Sequence, residues 1–258
     1  MKLELIVSAM NKEPGSLIKT MGIKTDAVII NQCDRYGATE IKDGGSSILF
    51  FDMAERGVGR SRNSGILKSR GDILLFSDED IVYEAGYEDK ILKAFETEAG
   101  ADMLLFNVDV EESRRTYHID KRTKITSLNC GRYPTYSMAV KRDVLLKKGI
   151  MFSLLFGGGA PYSAGEDSLF IMNCVKSGMN IIALPVTIGR EEPRPSTWFN
   201  GYTEKFFYDR GVLFSHLYGK LAGIMALRYV IKKKKLMCNE VSQKKAYQLI
   251  KKGIREGR

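Results

Sequence analysis

Short apolar runs of strand length alternate with stretches of helical spacing over the first half of the chain. The runs share a near-continuous apolar character and lie at residues 3–9, 27–31, 48–51, 73–77 and 103–108. Residues 58–69 and 86–98, between the last three runs, space their apolar side chains as helices do. Apolar strands separated by helices are typical of a mostly parallel sheet covered on both faces. The pattern therefore predicts an α/β fold.

The pattern is less regular in the second half. A charged region at residues 111–124 is expected to form a hairpin or crossover. The elements expected after it are a strand near 136–140, a glycine-rich loop at 157–159, a helix at 167–177, a strand at 181–185, a surface loop at 186–201 and a helix at 202–218.

The net charge of +9 is concentrated at the end of the chain. Residues 219–258 contain 12 Lys or Arg and two acids, whereas residues 1–218 contain 28 basic and 29 acidic residues. We therefore expect one globular domain over residues 1–218 and a basic helical tail over 219–258. The neutral domain argues against nucleic acid as a partner, because nucleic-acid-binding domains place basic residues on the folded face that binds.

Two further features indicate a cytoplasmic protein. The four cysteines are scattered without a C-x-x-C pair, which predicts neither a disulfide framework nor a zinc site. The apolar start at residues 1–10 is interrupted by Glu4 and is too short for a signal peptide, so it is interpreted as the first strand.

The strongest chemical pattern is an apolar strand that ends in three successive acids, Asp78, Glu79 and Asp80. The carboxyl ends of strands line the ligand crevice in open α/β sheets, and hard divalent cations prefer oxygen ligands shared with substrate phosphates. Asp78 and Asp80 can both reach one ion if the chain turns between them. The alternative is a solvated acidic turn that stabilises the start of the next helix.

The predicted helix before this strand carries a second pattern, made of Gly57, Gly59, Ser61, Arg62, Asn63 and Gly65. With the acids that follow, the end of the second strand and Gly165-Glu166-Asp167, the sequence resembles the inverting family 2 glycosyltransferases of GT-A fold, over roughly residues 3–215. The resemblance implies a Rossmann-like, mostly parallel central sheet flanked by helices, here with a helical C-terminal extension. It also implies a nucleotide-sugar donor, with UDP favoured, and Mn²⁺ or Mg²⁺ under the diphosphate.

The same resemblance implies roles for individual residues. The residues expected at the nucleotide are Ser8, Asn31, Asp34, Arg62 and Asp78, and those expected at the metal are Asp78 and Asp80. Asp167, supported by Glu166, is expected to be the catalytic base that takes the proton of the acceptor hydroxyl. The alternative for this acidic pair is a purely structural one, since acids are favoured in the first turn of a helix.

Some positions depart from the family pattern or match it loosely. Relatives often carry a metal-binding histidine after the strand that follows the catalytic helix, and residues 186–190 contain none. The next loop holds Arg190, Ser196 and Trp198, which are expected near the diphosphate or the acceptor. Residues 208–211 resemble the C-terminal helix of bacterial enzymes that build capsular and other surface polysaccharides, which favours a glycan or lipid-linked acceptor.

The tail combines an apolar segment at residues 221–231 with four consecutive lysines, Lys232 to Lys235. Eleven residues cannot span a bilayer, which takes about 20 apolar residues. An interfacial helix on an anionic membrane surface is one interpretation. The other is that the segment packs on the globular domain and the lysines are solvated.

Two other functions compete with glycosyl transfer. A sugar-nucleotide pyrophosphorylase would need a glycine-rich phosphate loop after the first strand, and residues 8–15 lack the glycine run. A non-catalytic adaptor at a membrane surface would not need the acids at 78, 80 and 167.

Overall fold

The computed structural model describes residues 1–112, 115, 117–192 and 201–257. The strands are β1 (Leu3–Met10), β2 (Asp26–Gln32), β3 (Gly37–Asp43), β4 (Ser46–Met53), β5 (Ile73–Asp78), β6 (Ile81–Tyr83), β7 (Met103–Asp109), β8 (Thr123–Lys124), β9 (Met138–Lys141) and β10 (Ile181–Glu191). The helices are α1 (Pro14–Met21), α2 (Val58–Lys68), α3 (Tyr87–Thr97), α4 (Arg142–Lys147), α5 (Glu166–Lys176), α6 (Glu204–Tyr218), α7 (Ala222–Met237) and α8 (Gln243–Glu256).

The strands form one sheet in the order β3-β4-β2-β1-β5-β9-β7-β10-β6, with β8 paired to β10. The strands β4, β2, β1 and β5 are joined by parallel pairs, as are β7 and β10. The antiparallel strand β9 lies between these two parallel groups. This sheet with flanking helices confirms the α/β fold expected from the apolar runs.

The first strand shows why the apolar runs are nearly continuous. Leu5 and Val7 face one buried cluster, whereas Ile6 belongs to the other, and none of the three exposes its side chain. Each cluster lies between the sheet and a layer of helices. Alternate residues of a strand point to opposite faces, so a strand covered on both sides needs apolar residues at every position.

One predicted boundary is wrong. The strand expected at 181–185 continues to Glu191, so residues 186–191 are not a loop. The extension pairs with β6 in antiparallel fashion, and its pairing with β7 shifts register after Ala183 and again after Thr187. Gly189, Arg190 and Glu191 carry no apolar run, although this end of the strand pairs with β6 on one side and β7 on the other. The rest of the expected loop, 193–200, lies outside the described residues.

The last three helices pack together against the core. The helix α7 buries Ala222, Ala226 and Val230 in the same hydrophobic cluster as the apolar side chains of α5. The helices α6 and α8 meet at two glycines, Gly211 and Gly253, where an added Cβ would lie 2.1 Å from a backbone oxygen of the facing helix. Among the described residues, no helix is both long enough and apolar enough to cross a membrane.

The close approach of α6 and α8 predicts a stability effect. Gly211→Ala places a methyl group against the carbonyl of Ile250, so the helices must separate, at a cost of about 1–3 kcal/mol. Gly223→Ala on α7 is the matched control, because its Cβ would have no neighbour within 4 Å. Thermal unfolding should show a clearly lower Tm for Gly211→Ala and an unchanged or higher Tm for Gly223→Ala. Equal Tm values would contradict the tight α6–α8 contact.

Candidate active site

A cavity of about 660 Å³ opens at the carboxyl ends of β1 and β5. Its wall brings together Ser8 from β1, Asp78 at the end of β5, Asp80 just after it, and Glu166 and Asp167 at the start of α5. Ser8 and Asp78 meet because the parallel strands β1 and β5 end at the same edge of the sheet, and the start of α5 brings Glu166 and Asp167 to that edge. The sequence predicted all five as site residues.

Arg62 is the buried cation at the centre of this wall. Its side chain is 4% exposed, and its Nη2 donates to Asp78 Oδ1 at 3.0 Å. Its Nη1 donates to Glu166 Oε1 at 3.2 Å and to Asp167 Oδ1 at 3.3 Å. Burial lowers the pKa of Arg62, but these three carboxylates more than offset that effect and raise it. One guanidinium therefore links Asp78, at the end of β5, to Glu166 and Asp167 on α5.

The motif around Arg62 explains how α2 delivers this side chain. A Cβ at Gly65 would lie 2.3 Å from Ile6 Cγ2, and one at Gly59 would lie 2.5 Å from the backbone oxygen of Ser153. Only glycine lets α2 approach the sheet and the 152–153 segment so closely. Asn63 fixes the same segment, since its side chain both donates to the carbonyl oxygen and accepts from the N–H of Phe152.

Asp167 is held through a single carboxylate oxygen. Thr135 Oγ1 donates to Asp167 Oδ1, the oxygen that also accepts from Arg62. Thr135 is buried in a short 3₁₀ turn before β9. The Asp167 side chain is 30% exposed to the cavity, so Oδ2 is the oxygen left for a ligand in the cavity.

The pKa of Asp167 is raised to about 7. The largest cause is burial, followed by the neighbouring Glu166 carboxylate, while Arg62 and the Thr135 hydroxyl act in the opposite direction. A carboxyl group with a pKa near neutrality is well matched to accepting a proton at physiological pH.

The turn after β5 separates the three successive acids. Glu79 turns toward β1, where it accepts from the Met10 N–H at 2.6 Å and lies 3.4 Å from Lys12 Nζ. The backbone oxygen of Asp80 accepts from the N–H of Glu192 at 2.8 Å, which ties the turn to the end of β10. All three acids line the cavity, and so does Glu191.

The side chains that line the cavity decide whether a divalent metal ion fits there. Within the part of the chain that the structure describes, no group of three or more His, Cys, Asp or Glu side chains is arranged to hold a metal. Two aspartates on one wall nevertheless match sites in which Mg²⁺ is held by one or two carboxylates and by substrate phosphates. The residues present therefore fit an ion that binds together with a diphosphate.

Two residues expected at the nucleotide lie away from the cavity wall. Asn31 is buried, and its side chain bonds the backbone of Lys12 and the carboxylate of Asp52. Asp34 has a side chain that is 93% exposed and forms an ion pair with Arg56 at 2.6 Å. Neither is among the described residues that line the cavity, and their nucleotide-binding roles stay predictions.

Of the three residues expected in the loop at 186–201, the structure describes only Arg190, which lies in β10. Arg190 is exposed and pairs with Glu192 at 3.0 Å, and it is not among the described residues of the wall. Ser196 and Trp198 lie outside the described residues, so their expected roles also stay predictions.

Several residues of the wall and its support carry no signal of their role in the sequence. Gln32 lines the cavity, donates to Ser8 Oγ at 3.3 Å and accepts from the Gly57 N–H at 2.8 Å, so it connects β1, β2 and the start of α2. Arg132 lies on the wall close to Thr135 in sequence. Gln32 lies at the end of the apolar run of β2, but the sequence pattern assigned it no role, and no apolar pattern or motif marks Arg132.

Comparison with known proteins decides the family. The sequence profile described as glycosyl transferase family 2 matches residues 17–151, just over half of the chain. The chain belongs to glycosyl transferase family 2. Family membership confirms that it is a glycosyltransferase, as the motif around Arg62 and the acids after β5 indicated. No protein of curated function matches the sequence significantly.

Several solved structures share the fold. A 1–349 fragment of S. aureus TarS in complex with UDP-GlcNAc aligns with a TM-score of 0.63 and 15% identity, over 93% of this chain and 74% of that one. The mannosyltransferase PcManGT from Pyrobaculum calidifontis, in complex with GDP-Man and Mn²⁺, aligns with a TM-score of 0.54 and 14% identity, over 99% of this chain and 74% of that one.

A third similar structure is that of glucosyl-3-phosphoglycerate synthase from Mycobacterium tuberculosis, in complex with Mn²⁺, UDP and phosphoglyceric acid. It aligns with a TM-score of 0.53 and 13% identity, over 84% of this chain and 78% of that one. At these identities the likeness shows the fold, which confirms the GT-A architecture of this glycosyltransferase.

The hydrogen bond from Thr135 predicts a change in the titration of Asp167. Thr135→Val removes a donor to the charged carboxylate, and hydrogen bonds to charged groups contribute about 1.5–3 kcal/mol, so the pKa of Asp167 should rise by about one unit or more. Thr135→Ser keeps the hydroxyl and should leave the pKa nearly unchanged. Carboxyl ¹³C NMR titration measures both. An equal pKa in the valine and serine variants would rule out the hydrogen bond as a cause.

Proposed function

We propose that this glycosyltransferase is metal-dependent and inverting, and that it moves a sugar from a UDP-sugar to a hydroxyl of a glycan or lipid-linked acceptor in surface polysaccharide biosynthesis. The observation that carries the proposal is the arrangement around Arg62. It places a carboxylate of raised pKa, Asp167, in the same cavity as the two aspartates at the end of β5, Asp78 and Asp80.

The proposed donor site lies at the β1 end of the cavity. Ser8 and Gln32 line this end, and the exposed Asp34, two residues after the end of β2, is accessible to a nucleoside. The TarS fragment binds UDP-GlcNAc and the mycobacterial synthase binds UDP, which favours uridine. The mannosyltransferase binds GDP-Man, so guanosine is the alternative base.

Asp78 and Asp80 are the proposed ligands of Mn²⁺ or Mg²⁺. Both similar structures that contain Mn²⁺ also contain a nucleotide diphosphate or a nucleotide sugar, which supports a divalent ion in this fold. The ion would neutralise the charge of the departing diphosphate. Glu191 is a further carboxylate on the same wall.

Asp167 is proposed to act as the general base. Its Oδ2 accepts the proton of the acceptor hydroxyl while the acceptor oxygen forms a bond to the anomeric carbon. The bond from that carbon to the β-phosphate oxygen breaks, and the nucleotide diphosphate leaves with the electron pair. Attack from the face opposite the leaving group inverts the anomeric carbon, and no covalent intermediate with the protein forms.

Asp167→Asn tests this role because it removes the base and keeps the size of the side chain. Turnover should fall at least ~100-fold, the lower end expected for loss of general-base catalysis, whereas UDP affinity should change little. Asp120→Asn, at a carboxylate that is 84% exposed, is the control and should keep full turnover. Near-native turnover of Asp167→Asn would remove Asp167 from the role of base.

The tail suggests where the enzyme works. Four apolar side chains on α7 and just before it, Leu221, Ile224, Leu227 and Ile231, are 46–67% exposed. Their spacing of three and four residues places them on one face, opposite the alanines that pack in the core. Four lysines follow immediately. An exposed apolar stripe beside a basic run fits an anionic membrane surface, and we propose peripheral binding to the cytoplasmic face of the membrane.

Liposome sedimentation tests the membrane proposal on the full chain. The protein should pellet with phosphatidylglycerol vesicles at low salt and be released as salt screens the lysines. The double variant Ile224→Ser/Ile231→Ser should stay in the supernatant. The control Leu128→Ser removes a side chain that is 93% exposed elsewhere, and it should still pellet. Equal behaviour of the double variant and the control would contradict the proposal.

A further inference from the structure

Two arginines line the cavity without a role in the proposed transfer chemistry. Arg132 belongs to the loop before the 3₁₀ turn that contains Thr135, and Arg210 belongs to α6. Within the described part of the chain, neither has a carboxylate within 4.0 Å, in contrast to Arg62 with its three. Their positive charges are therefore available to a ligand.

The position of Arg210 is fixed by the packing of α6. Its guanidinium carbon lies 5.2 Å from the ring centroid of Phe206 and 5.5 Å from that of Tyr229 on α7. The preceding residue, Asp209, is buried and accepts from the N–H of Ser163 at 2.9 Å and from Lys205 Nζ at 2.6 Å. Asp209 thereby ties α6 to the loop that leads into Asp167.

Arg132 is exposed, but its loop is held on the same side of the cavity. A Cβ at Gly131 would lie 3.8 Å from Ser168 Oγ and 3.9 Å from the hydroxyl of Tyr218 on α6. Arg132 also comes three residues before Thr135, which donates to Asp167. The two arginines are thus attached to the two segments that flank Asp167, one before β9 and one at α6.

We propose that Arg132 and Arg210 form an acceptor subsite that binds a phosphate or carboxylate group of the acceptor. This inference rests on the proposed role of Asp167, because the hydroxyl that Asp167 deprotonates belongs to the acceptor. The segments with the arginines support Asp167, whereas the proposed donor residues come from β1 and the turn after β5. The planar guanidinium matches a phosphate or carboxylate through paired N–H donors.

The subsite selects for an acceptor that carries a negative charge near the reacting hydroxyl. The carboxylates of the cavity repel such a group. The positive charges of Arg132 and Arg210 would offset that repulsion and bind it. Each arginine should contribute about 10-fold or more to binding, as expected for hydrogen bonds between charged groups. A neutral acceptor would leave both guanidinium groups without a partner.

Binding of simple probes tests the subsite without requiring turnover. The full chain is saturated with UDP and Mn²⁺, and sn-glycerol 3-phosphate, glycerate and glycerol are titrated in ligand-observed NMR. The phosphate or the carboxylate probe should bind at least about 10-fold more tightly than glycerol, and Arg132→Gln and Arg210→Gln should each remove most of that difference. Arg228→Gln, at an exposed arginine of α7 outside the cavity wall, is the matched control and should have no effect.

Two outcomes would overturn the proposal, and each has a distinct meaning. Equal binding of glycerol and the two anions would show that no anionic subsite exists. A loss of UDP affinity in Arg132→Gln and Arg210→Gln would assign the arginines to the donor diphosphate instead. Arg132 lies in an exposed loop, so Arg132→Gln should leave the stability of the protein unchanged. It therefore keeps the test valid if Arg210→Gln destabilises the fold. Failure of Asp167→Asn to slow turnover would count against the proposed base and not against anion binding.

Discussion

The ion pairs of Arg62 are the interaction on which the rest of the site depends. Three carboxylates from β5 and α5 approach one another around a cavity, and their mutual repulsion would oppose the fold without a cation between them. Removing one partner of a buried charged network costs about 3–5 kcal/mol, because the remaining charges are left uncompensated. The glycines of α2 serve this contact, since they let the helix lie close enough to the sheet for Arg62 to reach all three acids.

The same cation joins the two halves of the proposed reaction. Asp78 belongs to the side where a diphosphate would bind, and Asp167 belongs to the side where an acceptor would bind. Arg62 lowers the pKa of Asp167, whereas burial and Glu166 raise it, and the balance sets a value of about 7. Thr135 and Arg62 bind the same oxygen of Asp167, so its orientation follows from the packing of the 3₁₀ turn and α2.

Seven of the ten strands that the structure describes, and the charged centre of the site, could be predicted from the sequence because each has a strong local signal. The short or exposed strands β3, β6 and β8 have no long apolar run and were not predicted. Buried strands covered on both faces need continuous apolar runs, and the spacing around Arg62 identified α2 and the acids after β5. The second half of β10 escaped prediction, because a segment with Gly189, Arg190 and Glu191 lacks an apolar pattern. Thr135 escaped because its role arises from a contact with a residue 32 positions away. Alternation along β2 turns Asn31 toward Asp52, while Gln32 faces the cavity, and a motif alone does not set that register.

The central claim is that Asp78 and Asp80 hold a divalent ion under the diphosphate, next to Arg62. Calorimetry of UDP binding in Mn²⁺ and in EDTA tests it most directly, with Asp80→Ala as the variant and Asp120→Ala, at an exposed carboxylate, as the control. The account predicts that Mn²⁺ strengthens UDP binding by about 10-fold or more, within the usual range of coupling between two ligands, in the native chain and the control but not in Asp80→Ala. Equal UDP affinity in Mn²⁺ and in EDTA for the native chain would contradict it.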